Sequence, residues 1–209
     1  MIPRLIILLV ILALAPGAAG KRLEGIPRPD AEPDSLAGRL LVATPNLRGP
    51  IFRRTVIFML HHGPDGAMGI IINRPTGSRP LTELMRNFGI DDIDGVDPDE
   101  DLTVFFGGPV QRGLGMVLHS TDFALPDTLA INRFAAATGA NAALRAIAEG
   151  RGPRHALLAV GYAGWSPGQL EGELARKSWV VAPADEKFLF DTEFATKWLR
   201  AFERRGFDL

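Results

Sequence analysis

The chain has 209 residues, of which 46% are hydrophobic and 22% are charged, so one domain with a sizeable core is expected. Its formal net charge of −1 gives no basic field, and binding to nucleic acid is therefore not expected. The chain has no cysteine, which excludes disulfides, thiolate catalysis, cysteine-ligated zinc and a lipoprotein anchor.

The N-terminus has the composition of an export signal. Arg4 precedes an apolar run over residues 5–15, and small residues follow at Ala18 and Gly20. A membrane span needs about 20 apolar residues, so contact with the membrane is expected only transiently, during export. We therefore expect a signal peptide over 1–20, a proline-rich linker over 21–35 and a folded domain over 36–209. The mature protein is then periplasmic or secreted; a start codon assigned too far upstream would instead make it cytoplasmic.

Three apolar or β-branched runs, at residues 39–44, 55–61 and 68–73, predict strands in the first half of the domain. Proline and glycine in residues 61–66 predict a hairpin loop between the second and third runs. Helical spacing of apolar residues over 81–88 predicts a short helix that ends at Gly89.

Residues 91–101 are dense in carboxylates, which raises the possibility of a calcium loop. Counted from Asp92, however, Val96 and Pro98 fall at ligand positions and Thr103 falls where a bidentate glutamate is required. A solvated acidic loop is therefore the interpretation that the pattern favours.

The second half alternates between strand and helix patterns. Residues 102–106, 114–119, 154–160 and 179–181 predict strands, and residues 140–148 predict an alanine-rich helix. A last helix is predicted from Asp191 as its N-cap, with Phe194, Trp198 and Phe202 on its buried face. Because strands occur in hairpin-like groups and beside helices, the predicted fold class is α+β in a single domain.

Residues 161–173 follow an apolar strand and predict a sharp turn into a helix. Residues 164–168 fit the G-x-S-x-G pattern of a serine hydrolase, with Ser166 as the nucleophile. The next residue, Pro167, has no N–H for an oxyanion hole. All four histidines precede Ser166, whereas the catalytic histidine of that fold follows the nucleophile. The pattern therefore does not indicate a nucleophile.

A helix start accounts for the same segment. Ser166 is predicted as the N-cap, Pro167 as the first helical residue and Gln169 as the partner in a capping box. Two further pairs are predicted on this helix: a staple of Trp165 to Leu170, and an ion pair of Glu173 with Lys177. Glycines at 161, 164, 168 and 172 remain unexplained, and their density indicates close approach of either another backbone or a ligand.

Four segments together resemble the AlgH/YqgE family. They are residues 41–46 with 52–56, residues 66–75, residues 106–110 with 117–119, and residues 161–173 with Trp179. The resemblance implies a compact α+β fold whose mixed β-sheet curls into a pseudo-barrel with flanking helices. It also implies a label, regulator of exopolysaccharide or alginate synthesis, that carries no established molecular activity.

The chain departs from the family pattern at His61, at Lys177 and over residues 123–138. The export signal is a further departure, because members are normally cytosolic. If the signal is genuine, direct transcriptional control is not expected. The sequence also lacks a helix-turn-helix signature, and the arginine pairs at 53–54 and 204–205 are balanced by acids elsewhere.

The function that the pattern favours is non-enzymatic binding or regulation through a glycine-lined cleft. Irregular strand ends at residues 73–74, 107–109 and 161–168 are expected to gather there around a small anionic ligand or a protein partner. No catalytic residue, metal or cofactor is expected. The candidate ligand-binding residues are Asn73, Arg74, Gly107, Gly108, His119, Gly161, Trp165, Gln169, Glu171 and Glu173. An equal alternative for Arg74 is a turn in which it pairs with a carboxylate.

A metal-dependent enzyme is the alternative hypothesis. It would use His62 or His119 with Glu171 or Glu173 as ligands. Neighbouring residues of a strand point to opposite faces, so at most one of His61 and His62 joins such a site. The sequence has neither an H-x-H nor an H-E-x-x-H spacing, which counts against this alternative.

Overall fold

The computed structural model describes residues 35–92, 94–97 and 99–206. The predicted signal peptide and the predicted linker up to residue 34 lie outside the described residues. Within the described ranges, no helix is long and apolar enough to cross a membrane.

Strands and helices alternate along the described chain. The strands are β1 (Leu40–Ala43), β2 (Val56–Gly63), β3 (Gly66–Ile71), β4 (Pro75–Pro80), β5 (Asp101–Phe106), β6 (Val110–His119), β7 (Leu129–Ala130), β8 (Ala136–Gly139), β9 (Ala156–Trp165) and β10 (Trp179–Ala182). The helices are α1 (Leu81–Asn87), α2 (Ala140–Ala148), α3 (Gln169–Ala175), α4 (Glu186–Phe190) and α5 (Phe194–Glu203).

The first strands are apolar at nearly every position because both of their faces are buried. On β1, Leu40 and Val42 pack into one core, while Leu41 and Ala43 pack into another on the opposite face. All four side chains are fully buried. Continuous apolar runs are typical of strands covered on both sides. The strand predictions over 39–44, 55–61 and 68–73 thus match β1, β2 and β3 to within a few residues.

Strand β9 is the centre of the sheet. Its second half pairs with β3, and its first half pairs with β6 on one side and with β5 on the other. The order along the main path is β10-β1-β2-β3-β9-β6-β8-β7, and β4 joins through β5. Only the contact of β5 with β9 is parallel among the described strand pairs. The sheet curls into a half-barrel with the helices around it, so the predicted α+β pseudo-barrel in a single domain is confirmed.

Helices pack against the strands of the half-barrel. Helix α5 packs against β1, β2 and β10, and its Trp198 Nε1 donates a hydrogen bond of 2.8 Å to the Ala43 carbonyl. Helix α2 packs on β6, β8 and α1 and matches its predicted range. Helix α3 contacts β3 and β10, so it lies at the end of β9.

The predicted last helix is present as α5, but Asp191 is not its N-cap. A separate helix, α4, is capped by Asp185, whose side chain accepts from the Phe188 N–H at 2.8 Å. Asp191 is extended and ends α4, and α5 begins at Phe194. The Asp191 carboxylate forms ion pairs with Lys197 and Arg200, which explains why an acid stands between the two helices.

Two regions without an apolar pattern are also strands. Strand β4 is fully exposed and contains two prolines and Gly77, yet it pairs with β5 over most of its length. Strands β7 and β8 lie in the segment 123–138 that fits the family pattern poorly. All three strands form through tertiary pairing, which a local sequence pattern does not indicate.

Candidate functional site

Strand β9 continues past Val160, where the sequence indicated its end. Residues 161–165 remain in the strand because β3 pairs with them, with Ala67 opposite Trp165 and Gly69 opposite Ala163. The predicted turn therefore begins five residues later than expected, after Trp165.

The glycines that follow β5 pack against Gly161, in the middle of β9. Gly161 has φ 74°, and a Cβ there would overlap the carbonyl oxygens of Gly108 and Val110. A Cβ on Gly107 would overlap the Gly161 carbonyl, and one on Gly108 would overlap Tyr162. Close backbone approach, one of the two explanations for the dense glycines, is therefore what the structure shows at Gly161. The space beside these glycines is occupied by neighbouring backbone atoms of the same chain.

Helix α3 begins at Gln169, so the predictions of Ser166 as its N-cap and of Pro167 as its first residue were wrong. The capping position is Gly168, which is left-handed with φ 73° and offers no side chain. A tight turn precedes the helix, in which the Gln169 N–H donates to the Ser166 carbonyl at 3.0 Å. Half of the capping box does form, because Gln169 Oε1 accepts from the Ser166 N–H at 3.1 Å.

The Glu173 carboxylate joins two tryptophans. Its Oε2 accepts from the indole N–H of Trp165 at 3.0 Å and of Trp179 at 2.8 Å. Its Oε1 accepts from the Gln169 amide at 3.0 Å. The two indole rings meet edge to face with centroids 6.1 Å apart. In the part of the chain that is described, Glu173 forms no ion pair with Lys177, so that prediction was wrong.

His62 contacts Glu171 across the same end of the sheet. The His62 Nδ1 accepts from the Leu36 N–H at 3.2 Å, so Nε2 carries the proton and donates to Glu171 Oε1 at 2.9 Å. The Glu171 backbone N–H has the largest effect and lowers the pKa of the Glu171 carboxyl; burial opposes this, and the His62 bond lowers the pKa further. Both ring nitrogens of His62 are occupied by these two bonds.

His119 lies far from these acids. It is fully buried beside Ala156 at the start of β9, about 30 Å along the strand from Trp165 at ~3.3 Å per residue. Its Nδ1 contacts the Ser120 carbonyl at 2.9 Å and its Nε2 contacts Thr138 Oγ1 at 2.8 Å. Burial lowers the pKa of His119, although the Ser120 carbonyl opposes this.

Asn73 and Arg74 hold the loop between β1 and β2. Asn73 donates to the Arg54 carbonyl at 2.9 Å and accepts from the Val56 N–H at 2.9 Å. Arg74 donates to the carbonyls of Pro50 at 3.2 Å and Arg53 at 2.8 Å. The alternative in which Arg74 pairs with a carboxylate is therefore not what the structure shows, because Arg74 bonds to backbone oxygens. Burial, followed by the charge of Arg53, lowers the pKa of Arg74.

Three arginines thus meet at one end of the molecule. Arg53 and Arg54 are exposed, and the Arg54 guanidinium lies 5.4 Å from the centre of the Trp198 ring on α5. Over the residues that the structure describes, Arg53, Arg54 and Arg74 pair with no carboxylate. The acids that were expected to balance the pair at 53–54 lie elsewhere in the chain, and among the described residues none of them forms an ion pair with it. We call Arg53, Arg54 and Arg74 the arginine end.

A groove of about 710 Å³ adjoins the arginine end. Asn73 and Pro75 form one wall and residues 192–196, at the start of α5, form the other. Its surface is mostly apolar, with Pro75, Phe194 and Ala195 among the lining residues. The sequence gave no signal for this groove, because its two walls are more than a hundred residues apart in the chain.

The candidate residues do not gather into one cleft. Trp165, Gln169, Glu171 and Glu173 lie together with His62 at one end, and Asn73 with Arg74 lies about 20 Å along β3 from Ala67 at ~3.3 Å per residue. The remaining four, Gly107, Gly108, Gly161 and His119, are packed within the sheet. A ligand-binding role for any of the ten stays a prediction.

The residues of the metal alternative are likewise separated. His119 is remote from both acids, and Glu173 already accepts three hydrogen bonds. Among the described side chains, no group of three or more His, Asp or Glu is placed to hold a metal ion. His62 with Glu171 is therefore a hydrogen-bonded pair that holds the start of the domain to α3.

Known proteins similar to this chain share one family. Residues 40–209 match the family model described as AlgH-like. A UPF0301 protein of Afipia carboxidovorans is 43% identical, with 90% of this chain and 92% of that protein covered. A UPF0301 protein of Methylococcus capsulatus is 41% identical over 87% of this chain and 97% of its own length. The solution structure of the AlgH protein from Pseudomonas aeruginosa has a TM-score of 0.71 and 36% identity, covering 83% of this chain and 90% of that one.

Proposed function

Because the chain belongs to the AlgH-like family, we propose that it is a non-enzymatic binding protein whose arginine end takes an anionic partner. The regulator label of the family is consistent with binding, but it names no molecular activity. The proposal therefore depends on the residues of this chain.

The observation that carries the proposal is a cluster of like charges that forms no ion pair with a described carboxylate. Arg53 and Arg74 lie close enough for one charge to lower the pKa of the other. Among the described residues no carboxylate pairs with either of them or with Arg54. An anion that bound here would relieve this repulsion and accept charge-assisted hydrogen bonds, which are the stronger kind.

The groove beside the arginines adds apolar contact area. Pro75 and Phe194 would contact a hydrophobic side chain of the partner while the arginines contact its acids. The one acid in the groove, Glu193, is 3.8 Å from the Arg200 guanidinium and is mostly exposed, so it repels an anion only weakly. An acidic protein segment with one apolar side chain fits both features better than a small anion.

Calorimetry with a glutamate-rich peptide that contains one leucine tests this proposal. We expect saturable binding that weakens with added salt, and a loss of about tenfold in affinity in Arg53→Gln and in Arg54→Gln. The matched control is Arg145→Gln, which removes the same charge from the exposed face of α2. Equal affinity in the three variants would overturn the proposal, and tighter binding of citrate than of the peptide would indicate a small ligand.

The non-enzymatic part of the proposal is supported by the surroundings of Ser166. Pro167 follows it, and over the described residues no imidazole hydrogen-bonds to its hydroxyl. We expect no labelling of Ser166 by a fluorophosphonate probe. Labelling that is abolished in Ser166→Ala would show that the residue is an activated nucleophile and would refute this part.

Export remains part of the proposal. The basic and apolar start of the chain supports a periplasmic or secreted location, where a partner protein is a more natural target than DNA. Sequencing of the mature N-terminus from a cell envelope fraction tests this location. A start at Lys21 is expected, and an intact Met1 in the cytosolic fraction would contradict it.

A further inference from the structure

A second groove, separate from the arginine end, lies between α1 and the first part of β6. It has a volume of about 280 Å³. Its floor is apolar and contains Val104 of β5 and Val160 of β9, and Leu84 and Phe88 close the side toward α1. A ligand with a small apolar body would therefore find contacts on two sides.

The wall toward β6 is a wide bulge. Val110 pairs with Tyr162 and Gly115 pairs with Val160, so residues 111–114 stand opposite the single residue Gly161. All four residues of the bulge are exposed. Gln111 has φ 46°, a left-handed conformation that costs a side chain other than glycine about 1–3 kcal/mol. The strained bulge places Arg112 at the edge of the groove.

Two arginines from different strands flank the groove. Arg112 comes from the bulge and, within the described part of the chain, pairs with no carboxylate. Arg79 comes from β4, and its Nε lies 3.7 Å from Glu83 Oε1. Both members of that pair are more than half exposed, so water screens it and Arg79 remains available to another anion.

The wall of this groove toward α1 is held in place by the protein itself. The Phe88 carbonyl accepts from Asn141 Nδ2 at 2.6 Å, which ties the end of α1 to α2. The Phe88 ring packs where a Cβ on Gly115 would stand, so the absence of that side chain sets the position of the ring. A rigid site loses less entropy on binding than one that must be ordered.

We propose that this groove binds a small phosphate monoester with an apolar body. The phosphoryl group lies between Arg79 and Arg112, and the apolar body lies on Val104, Val160 and Phe88. A phosphoryl group carries about two charges and three acceptor oxygens, so it serves two guanidiniums from different elements. A carboxylate has one charge and two oxygens in one plane, which suits a single guanidinium.

A titration of the full chain with phenyl phosphate, followed by amide NMR shifts, tests the proposal. We expect saturable shifts at Arg79, Phe88, Arg112 and Val160. Affinity is expected to fall about tenfold in Arg112→Gln and further in the double variant with Arg79→Gln. Inorganic phosphate is expected to bind more weakly because it lacks the apolar body, and benzoate because it lacks the second charge.

Two control variants separate this site from other basic surface. Arg145→Gln, on the exposed face of α2, is expected to bind phenyl phosphate as the unmodified chain does. Arg53→Gln is also expected to bind it unchanged, so this result is independent of the proposed function at the arginine end. Equal affinity in the Arg79→Gln, Arg112→Gln double variant, or shifts confined to other residues, would overturn the proposal.

Discussion

At the scale of single residues, the half-buried Glu173 and the buried His119 are each held by several partners at once. Glu173 accepts from two indoles and an amide, and His119 contacts a carbonyl and a hydroxyl. A polar group that is taken from water costs free energy unless its hydrogen bonds are replaced, so each of these sets is complete. The indole partners of Glu173 were not predictable, because Trp165 and Trp179 become neighbours only when β3, β9 and β10 are assembled.

The structure predicts that Glu173→Gln destabilises the protein although it preserves the shape of the side chain. An amide offers one acceptor oxygen where the carboxylate offers two, so one donor is left facing an NH₂ group. We expect a loss of about 1–3 kcal/mol in the free energy of unfolding, measured in urea. Glu171→Gln is the matched control, with an expected loss below about 1 kcal/mol because Glu171 is more than half exposed where it bonds to His62. Equal losses in the two variants would contradict this description of Glu173.

The burial of His119 predicts that the free energy of unfolding decreases in acid. Burial lowers the pKa of His119 in the folded state below the ordinary value of 6.5, so the unfolded chain takes up the proton first. The stability from the neutral ring is complete above pH 6.5 and is lost as the pH falls toward the folded pKa. We expect the free energy of unfolding to fall more steeply below pH 6.5 in the unmodified protein than in His119→Gln. His155→Gln, at an exposed histidine, is expected to keep the steep slope.

At the scale of elements, α4 and α5 are joined through Lys197 and Asp191. The Lys197 side chain is fully buried, and its Nζ donates to the carbonyls of Leu189 and Asp191, each at 3.1 Å. Asp191 Oδ1 lies 3.4 Å from the Lys197 Nζ. The rings of Phe188 and Phe194 also contact this Nζ, with their centres 5.5 and 5.4 Å away. An apolar helix face was predicted here, but a buried ammonium was not, since nothing in the local pattern distinguishes Lys197 from a solvated lysine.

The burial of Lys197 predicts that the free energy of unfolding increases at alkaline pH. Burial lowers its pKa from 10.5 to about 8, with Asp191 opposing the shift. Between these values the unfolded chain holds the proton more tightly, so stability rises with pH across this window. We expect the unmodified protein to gain up to about 3 kcal/mol relative to Lys197→Met between pH 8 and 10.5. Lys187→Met, at an exposed lysine of α4, serves as the control; an equal slope in the two variants would contradict the buried ammonium.

The strands differ in whether a local sequence pattern predicts them. Strands β1 to β3 were predictable because their side chains are apolar on both faces. Strand β4 was not, because its residues are exposed and its only described partner is β5. The continuation of β9 through Gly161 was missed for a related reason: glycine weakens a strand locally, and only the close backbones of Gly108 and Val110 require it there.

At the scale of the whole molecule, the sequence sufficed for the class of fold and the family but not for the surface. The α+β half-barrel and the AlgH-like match agree with what the motifs implied. Of the candidate site, Asn73 and Arg74 were singled out and their ligand-binding role stays a prediction, while Arg53 and Arg54 were set aside as balanced by acids elsewhere in the chain. A pattern along the chain does not show which charges meet in space, so both grooves emerge only from the assembled sheet.

The measurement that tests the account most directly is an NMR titration of the protein with the glutamate-rich peptide that contains one leucine. The account predicts amide shifts concentrated in residues 50–54, 73–75 and 192–196, and their disappearance in Arg53→Gln at the same peptide concentration. Shifts concentrated around His62 and Glu171, or an unchanged spectrum at saturating peptide, would contradict binding at the arginine end.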